Sequence, residues 1–540
     1  MTDREFTIGE ALDLAVQFAM EGNHANAVTM CKGVLIHEPE NFEAIQRLGT
    51  SLFAMGKYYE ALYWFWRGLK LERKHPLALT NYGLCVSQLG HWEEGLPDLK
   101  RAVYAAEKAG DKLSAGAKSL IYNNLGNCLE RLKRHAEALV ALDKGIACDP
   151  SDPFPWYNRG IALLRLNRHH EAIDSLNKSL TLQPPIKDSA SRLNEADARY
   201  NLGMAHLLLG DIKNGFEGYE HRLLTSENTV PNLGLPPEKK WTGQPIVGER
   251  ILVHAEQGYG DTIQFMRFVP ELVARGASVQ VVVHNGLKPI AAALTGTTVR
   301  DREIPGIDTE INVRSASAPV TVLDQGEISN DSYDYWVAMM SLPLRLGIDS
   351  EDKLPPPWWP EQNPNRVAMW ANKTPLASTM PNVGICWAGN FQHKNDGHRS
   401  IDLKLFAKLF DAPCNFISLQ QMHAADTQTF ADLKEKHGNL FALHLEEWWD
   451  TAAVMANLDL VISVDTAVVH LAGSVGVPTW ALIPAYSTDW RWQLHRSDSP
   501  WYPSMRLIRQ HRIGDWGNII SYLKEELVQA AARHSGRAAA

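Results

Sequence analysis

A chain of 540 residues is about three to four domains long at roughly 150 residues each, so a single hydrophobic core cannot serve all of it. With 53 Lys and Arg against 62 Asp and Glu, a net charge of −9 and no basic block, it lacks the electrostatic footprint of a nucleic-acid binder. Its 45% hydrophobic and 21% charged residues exclude a largely disordered or collagen-like chain.

The start, MTDREFTIGE, carries no basic segment followed by an apolar core, and no stretch reaches the roughly 18 uncharged apolar residues of a membrane span. The expectation is a cytoplasmic, unexported chain. Cys31, Cys85, Cys128, Cys148, Cys386 and Cys414 are scattered without a CxxC pair. This argues against both a disulfide framework and a zinc site, and fits a reducing compartment.

The first part of the chain repeats. Ala15, Gly49, Gly83, Gly126, Gly160 and Gly203 stand 34, 34, 43, 34 and 43 residues apart, as if one nine-residue insertion occurred twice. Twelve residues after each stands a second small residue: Ala27, Ala61, Gly95, Ala138, Ala172 and Gly215. Two antiparallel helices per unit explain both columns, because bulk at either place would splay the pair. Pro39, Pro150 and Pro184 fall 24 residues after Ala15, Gly126 and Gly160, where a proline closes the second helix. The pattern resembles the tetratricopeptide repeat, whose period is about 34 residues. The resemblance covers residues 8 to 228 in six units, the last degenerate. It implies an α-solenoid with a concave face for an extended peptide.

Asn81, Asn124, Asn158 and Asn201 each precede their glycine by two residues. A carboxamide offers donors and an acceptor together, so a column of them could bind the backbone of an acceptor peptide. The repeat domain of the nucleocytoplasmic O-GlcNAc transferases uses an asparagine ladder in this way. The other reading is that these side chains bond within their own array.

A Pro-rich connection, SENTVPNLGLPPEKKWTGQPIVGE, includes the expected linker at 229–244 and precedes a change of period. Ile251 to His254 reads as a strand, EQGYGDTIQFMRFVPELVARG as a helix beginning near Asp261, and Val279 to Val283 as a second strand. Strand, Gly-containing loop, helix, strand is a βαβ unit. The Gly258 and Gly260 pair is by itself a weak sign of nucleotide binding and serves equally as a tight turn. After LPPPWWPEQNP the pattern restarts, with strands at Val383 to Trp387, Phe416 to Leu419, Leu460 to Val464 and Thr479 to Ile483. Two Rossmann-like lobes are expected, at 245–375 and 376–530, with the final helix from Trp516 to Ala532 returning to the first lobe.

ISVDTAVVHLAGSVGVP, from Ile462 to Pro478, resembles the C-terminal signature of the ADP-heptose:lipopolysaccharide heptosyltransferase family, and EQGYGD resembles that family's N-terminal Gly-Asp loop. The resemblance covers residues 245 to 520 and implies the GT-B fold. Joined to the repeats, the chain looks like bacterial fusion glycosyltransferases, flagellin glycosyltransferases among them, and shares the broad plan of O-GlcNAc transferase. Heptosyltransferases proper lack the array, so heptose as donor is not implied.

Asp465, Thr466 and Ala467 open a helix whose backbone N–H groups suit a phosphate, with His470 on the same face. Asp465 could equally be an N-cap and His470 an interior residue. WAGNFQHKNDGHRS supplies Gly389, Asn390, Lys394 and Arg399 for a departing diphosphate, and Ser418, Leu419 and Gln420 stand where the nucleoside would lie. The resemblance makes Asp261 the catalytic base, while its plainer role is to cap a helix. Asp450 is expected to be an N-cap. RWQLHRSDSPWYPSMRLIRQ either closes over the donor or packs Trp501 and Tyr502 between the lobes.

The resulting expectation is an inverting glycosyltransferase that needs no metal or other cofactor. It moves a sugar from a nucleotide-sugar donor to Ser or Thr of a protein, flagellin being one candidate, held by the array. One alternative keeps the chemistry and makes a lipopolysaccharide or other surface saccharide the acceptor. The other is a protein-binding scaffold with an inactive transferase half.

Overall fold

The computed structural model describes residues 6–183, 189–225, 233–296, 320–377, 379–392 and 395–538. The chain divides into two compact units, Met1–Ala205 and His206–Ala540. Among the described residues no helix is long and apolar enough to cross a membrane.

The first unit is helical. Its pairs are α1 (Ile8–Met20) with α2 (His24–His37), α3 (Phe42–Ala54) with α4 (Tyr58–Leu71), α5 (Pro76–Gln88) with α6 (Trp92–Ala109), α7 (Ala115–Arg131) with α8 (His135–Cys148), and α9 (Pro153–Arg165) with α10 (His169–Leu182). A further helix, α11, runs from Ser189 to Leu208. Starts are locally encoded. Thr7 and Glu10 form a capping box, and Asn41, Ser114 and Asp152 cap their helices with side-chain oxygens.

The two columns of small residues mark real close approach. A Cβ on Gly95 would lie 2.5 Å from the carbonyl oxygen of Gly83, and one on Gly126 would lie 2.6 Å from Leu142 Cγ. Ala27, Ala61, Ala138 and Ala172 are fully buried. A third column, unread in the sequence, completes the packing: Cys31, Phe65, Leu99, Leu142 and Leu176 stand sixteen residues after the first small residue of each pair, and all are buried. The first long interval is a lengthening of α6 to 18 residues and α7 to 17, joined by a short turn at Gly110–Lys112. The second falls partly on 184–188, Pro184 among them, outside the described residues.

The second unit begins with the end of α11 and α12 (Ile212–Tyr219) and continues as α/β structure. Strands β1 (Arg250–His254), β2 (Ser278–Val282), β3 (Val320–Val322) and β4 (Tyr335–Ala338) form a sheet in the order β3-β2-β1-β4. Strands β5 (Asn382–Cys386), β6 (Asn415–Ser418), β7 (Leu440–Ala442), β8 (Leu460–Val464), β9 (Thr479–Ile483) and β10 (Met505–Arg509) form a second, in the order β10-β9-β8-β5-β6-β7. Among the described residues every pairing between these strands is parallel. β5 and β8 are buried at every residue, as in a sheet covered on both faces.

Three expectations change. The helix expected to begin near Asp261 starts at Tyr259 and is short: α13 covers Tyr259–Phe265, gives way to a tight turn at Met266–Phe268, and a separate helix starts at Val269. Pro270 accounts for the break, since it sits in the first turn of the new helix and cannot continue an old one. Asp450 is the third residue of α14 (Trp448–Met455), not its cap; its carboxylate accepts from the Trp370 indole at 2.8 Å and pairs with Arg366 at 3.3 Å. The last helices are α15 (Ala467–Val475) and α16 (Trp516–Ala538). α16 does not return to the first sheet; Ile519, Ile520, Leu523 and Leu527 join the core of the second sheet with Val383, Phe410 and Phe416.

Candidate functional site

The site is built where two strands end. Beyond β1, Ala255 still donates to the Val282 carbonyl at 2.8 Å, after which the loop turns and α13 begins behind Gly258. The Gly258 N–H donates to Asp261 Oδ2 at 2.8 Å, so Asp261 does cap its helix. Its other oxygen, Oδ1, accepts from Arg491 Nη2 at 2.5 Å. Burial raises the Asp261 carboxyl above the ordinary aspartate value, with Arg491 pulling against it and Asp489 adding to the rise. Arg491 is itself buried and fully engaged, donating to Gln264 Oε1 at 2.5 Å and to both oxygens of Asp489 at 3.0 and 3.1 Å.

Beyond β8 comes Asp465, then Thr466, which is the true cap of α15: its hydroxyl accepts from the Val468 N–H at 3.3 Å. The Ala467 N–H belongs to the first turn and has no partner in the helix's own ladder, which leaves it pointing outward at the positive end of the helix dipole. Burial and the neighbouring Asp489 push the Asp465 carboxyl up to about 6, against the pull of Arg399.

The two loops meet. A Cβ on Gly260 would stand 2.7 Å from His470 Cδ2 and 3.3 Å from Ala467 Cα, so only glycine lets α13 lie this close to α15. His470 is buried, stacks on Trp492 at 5.3 Å and shares a 3.0 Å hydrogen bond between Nδ1 and the Tyr502 hydroxyl. Burial, followed by Arg491 and Arg267, holds its pKa well below the usual histidine value, so it is neutral at pH 7. Trp501 and Tyr502 are also buried here. The Trp501 carbonyl accepts from Arg267 Nη1 at 2.8 Å, which ties the tryptophan-rich segment to the turn after α13.

The remaining expected donor residues lie at the ends of β5 and β6. Arg399 donates to the Asp465 carbonyl at 3.1 Å and to Asp396 at 3.2 Å, and the Gly389 N–H donates to Ser400 Oγ at 2.9 Å. Asn390 is exposed and accepts from the Gln392 N–H at 3.0 Å; Lys394 lies outside the described residues. Gln420 Oε1 accepts from the N–H groups of Trp387 and Ala388 at 3.2 and 3.0 Å, tying the ends of β5 and β6 together, with Ser418 and Leu419 buried beside it. Arg399 therefore reaches Asp465, with Gly389 against its guanidinium, while the side-chain carbonyl of Gln420 is spent on the protein itself.

In the first unit, three of the four asparagines donate within the array. Asn81 bonds Gln46 at 3.1 Å, Asn158 bonds Asn123 at 2.8 Å, and Asn201 bonds the Asp197 carbonyl at 2.8 Å. Asn124 is buried. These are the bonds expected if the column serves the array.

Arg491, Asp489, Gln264 and Glu256 were not picked out as site residues. The signals were present in part: Arg491 opens the tryptophan-rich segment and Glu256 opens EQGYGD.

Three family models match within the first half of the chain: "Anaphase-promoting complex, cyclosome, subunit 3" over residues 20–102, and "Tetratricopeptide repeat" over 87–153 and again over 141–174. The first part of the chain is a tetratricopeptide-repeat solenoid. Protein FlbA of Caulobacter vibrioides is 24% identical over 524 residues, covering 93% of this chain and 81% of FlbA, so the likeness spans the repeats and the α/β part together. Among solved structures, MamA from Desulfovibrio magneticus RS-1 is 22% identical, covering 32% of this chain and 94% of its own, with a TM-score of 0.27. The type IV pilus biogenesis factor PilW is 15% identical, covering 41% and 92%, with a TM-score of 0.32.

Proposed function

We propose that the α/β unit is a GT-B-type inverting glycosyltransferase that works without a metal and glycosylates Ser or Thr of a protein recruited by the repeats, with flagellin one candidate acceptor. One observation carries this reading: the turn bearing Asp261 packs on the first turn of α15, so a carboxylate from one parallel sheet and the positive N-terminal end of a helix from the other converge at the carboxyl ends of their strands. In the proposed reaction, Asp261 takes the proton of the acceptor hydroxyl as its oxygen bonds the anomeric carbon. The bond to the nucleoside diphosphate breaks on the opposite face, and the first turn of α15 receives the charge that leaves with it. Arg491 must release Asp261 for this step, and its second carboxylate, Asp489, gives it somewhere to remain.

The scaffold reading has its own support, because both oxygens of Asp261 are occupied, by Gly258 and by Arg491. Melting the protein with a panel of nucleotides and nucleotide sugars separates the two. A donor that binds the folded state raises the melting temperature, and release of the nucleoside diphosphate with that donor then establishes turnover. A chain indifferent to every nucleotide is a scaffold.

A further inference from the structure

Directly after α12, the second helix of the sixth repeat, stands Arg222, 4% exposed. Its guanidinium grips Glu256 in a two-pronged bond, Nε to Oε1 at 3.0 Å and Nη2 to Oε2 at 2.8 Å, and Nη2 also donates to Ser341 Oγ at 2.8 Å. Glu256 is buried as well, and its Oε2 takes the Met340 N–H at 2.7 Å. Glu256 lies in the loop between β1 and α13, two residues before Gly258, whose N–H holds Asp261. The same helix reaches the other side of that carboxylate. Phe216 and Tyr219 pack against Trp490 at 5.7 and 5.5 Å between ring centres, and the neighbouring Arg491 is the partner of Asp261.

A buried ion pair contributes little net stability over well-packed apolar groups, so its presence here asks for another explanation. Its fork geometry fixes orientation, which an ammonium or an apolar contact would not do. We propose that Arg222 is a positioning residue for Asp261: held in the turn that ends α12, where it donates to the Tyr219 carbonyl at 3.3 Å, and bidentate on Glu256, it fixes the 255–258 loop, so the end of the terminal repeat helix is a structural member of the transferase site. The kinetic part of this inference rests on the transferase reading, and the loop geometry does not.

The test uses full-length Arg222→Lys and Glu256→Gln. Lysine keeps the charge without the fork, and glutamine keeps the shape without the charge. Hydrogen exchange of peptide 255–262 should quicken about tenfold in both, while peptide 460–475, in β8 and α15, exchanges as before. With a donor and acceptor in hand, kcat should fall about tenfold while the donor KM stays within about twofold, because the base is misplaced and donor contacts are untouched. Unchanged exchange at 255–262 in either folded variant overturns the proposal. Should wild type transfer no sugar at all, the transferase reading fails, and exchange alone still decides whether Arg222 holds the loop. If Glu256→Gln does not fold, Arg222→Lys decides by itself.

Discussion

Asp465→Asn should make the protein more stable at neutral pH, although it removes a charged residue at the centre of the site. An unperturbed aspartate titrates at 3.8, and burial beside Asp489 raises Asp465 to about 6. Between these values the folded state holds a proton that the unfolded chain has released. Stability therefore falls as pH rises through that window and is level above it. At about 1.4 kcal/mol per pH unit the loss cannot exceed about 3 kcal/mol. Asparagine also forgoes the attraction of Arg399, so a gain of about 1–2 kcal/mol at pH 7 is expected, shrinking toward zero near pH 4. Pulse hydrogen exchange over a urea series, read on peptide 460–475, gives the local stability of wild type and variant at pH 4.5 and pH 7. The difference between the two proteins must be larger at pH 7. An equal difference at both pH values would refute the buried, raised carboxyl.

Asp261→Asn should leave donor binding intact and slow transfer by about two to four orders of magnitude, the usual range for a general base; full activity in a transfer assay removes Asp261 from the mechanism. Gly126→Ala forces a methyl group to within 2.6 Å of Leu142 Cγ and should lower stability by about 1–3 kcal/mol, read as an earlier helical melt by circular dichroism. A chain beginning at 206 should bind donor and fail to glycosylate its protein substrate, whereas one beginning at 229 should melt far lower, because it lacks α12 and Arg222 and uncovers Glu256 and Trp490. If the 206 chain modifies its protein substrate as well as the full chain does, the repeats are not the acceptor platform and a saccharide acceptor becomes the better reading.

The repeat helices were legible because their constraint is local and periodic: a helix pair that crosses at Gly83 and Gly95 admits nothing larger, and the spacing recurs. β1, β5, β8 and β9 were legible as short apolar runs, because a parallel sheet buries both faces. The short β3 and β7 carry three residues each, too few for any period to register. β10, MRLIR, was hidden inside a segment whose arginines and tryptophans suggested a loop. At the site, Asp261 and Thr466 stood out because each sits in a short local motif where a strand gives way to a helix. Arg491 could not, since its bond to Asp261 spans 230 residues and leaves no local trace. The Asn column was visible, but the bonds of Asn81 and Asn158 to the preceding unit depend on how repeats stack.

The packing of α12 also sets an order of events on the ribosome. The helix is made long before its partners: Phe216 and Tyr219 leave the ribosome about 270 residues ahead of Trp490. At about 5–20 residues per second they wait roughly a quarter of a minute to a minute. The earlier repeats can close on their neighbours as they appear, since each needs only the next one. α12 instead gains a first contact when Met340 reaches the Tyr219 hydroxyl, but the aromatic surface of Phe216 and Tyr219 that meets Trp490 stays open until all but the last strand of the two sheets has been made. Nascent chains stalled between residues 230 and 490 should therefore be the ones that bind chaperones, and that exposure should end once the 489–502 segment has emerged.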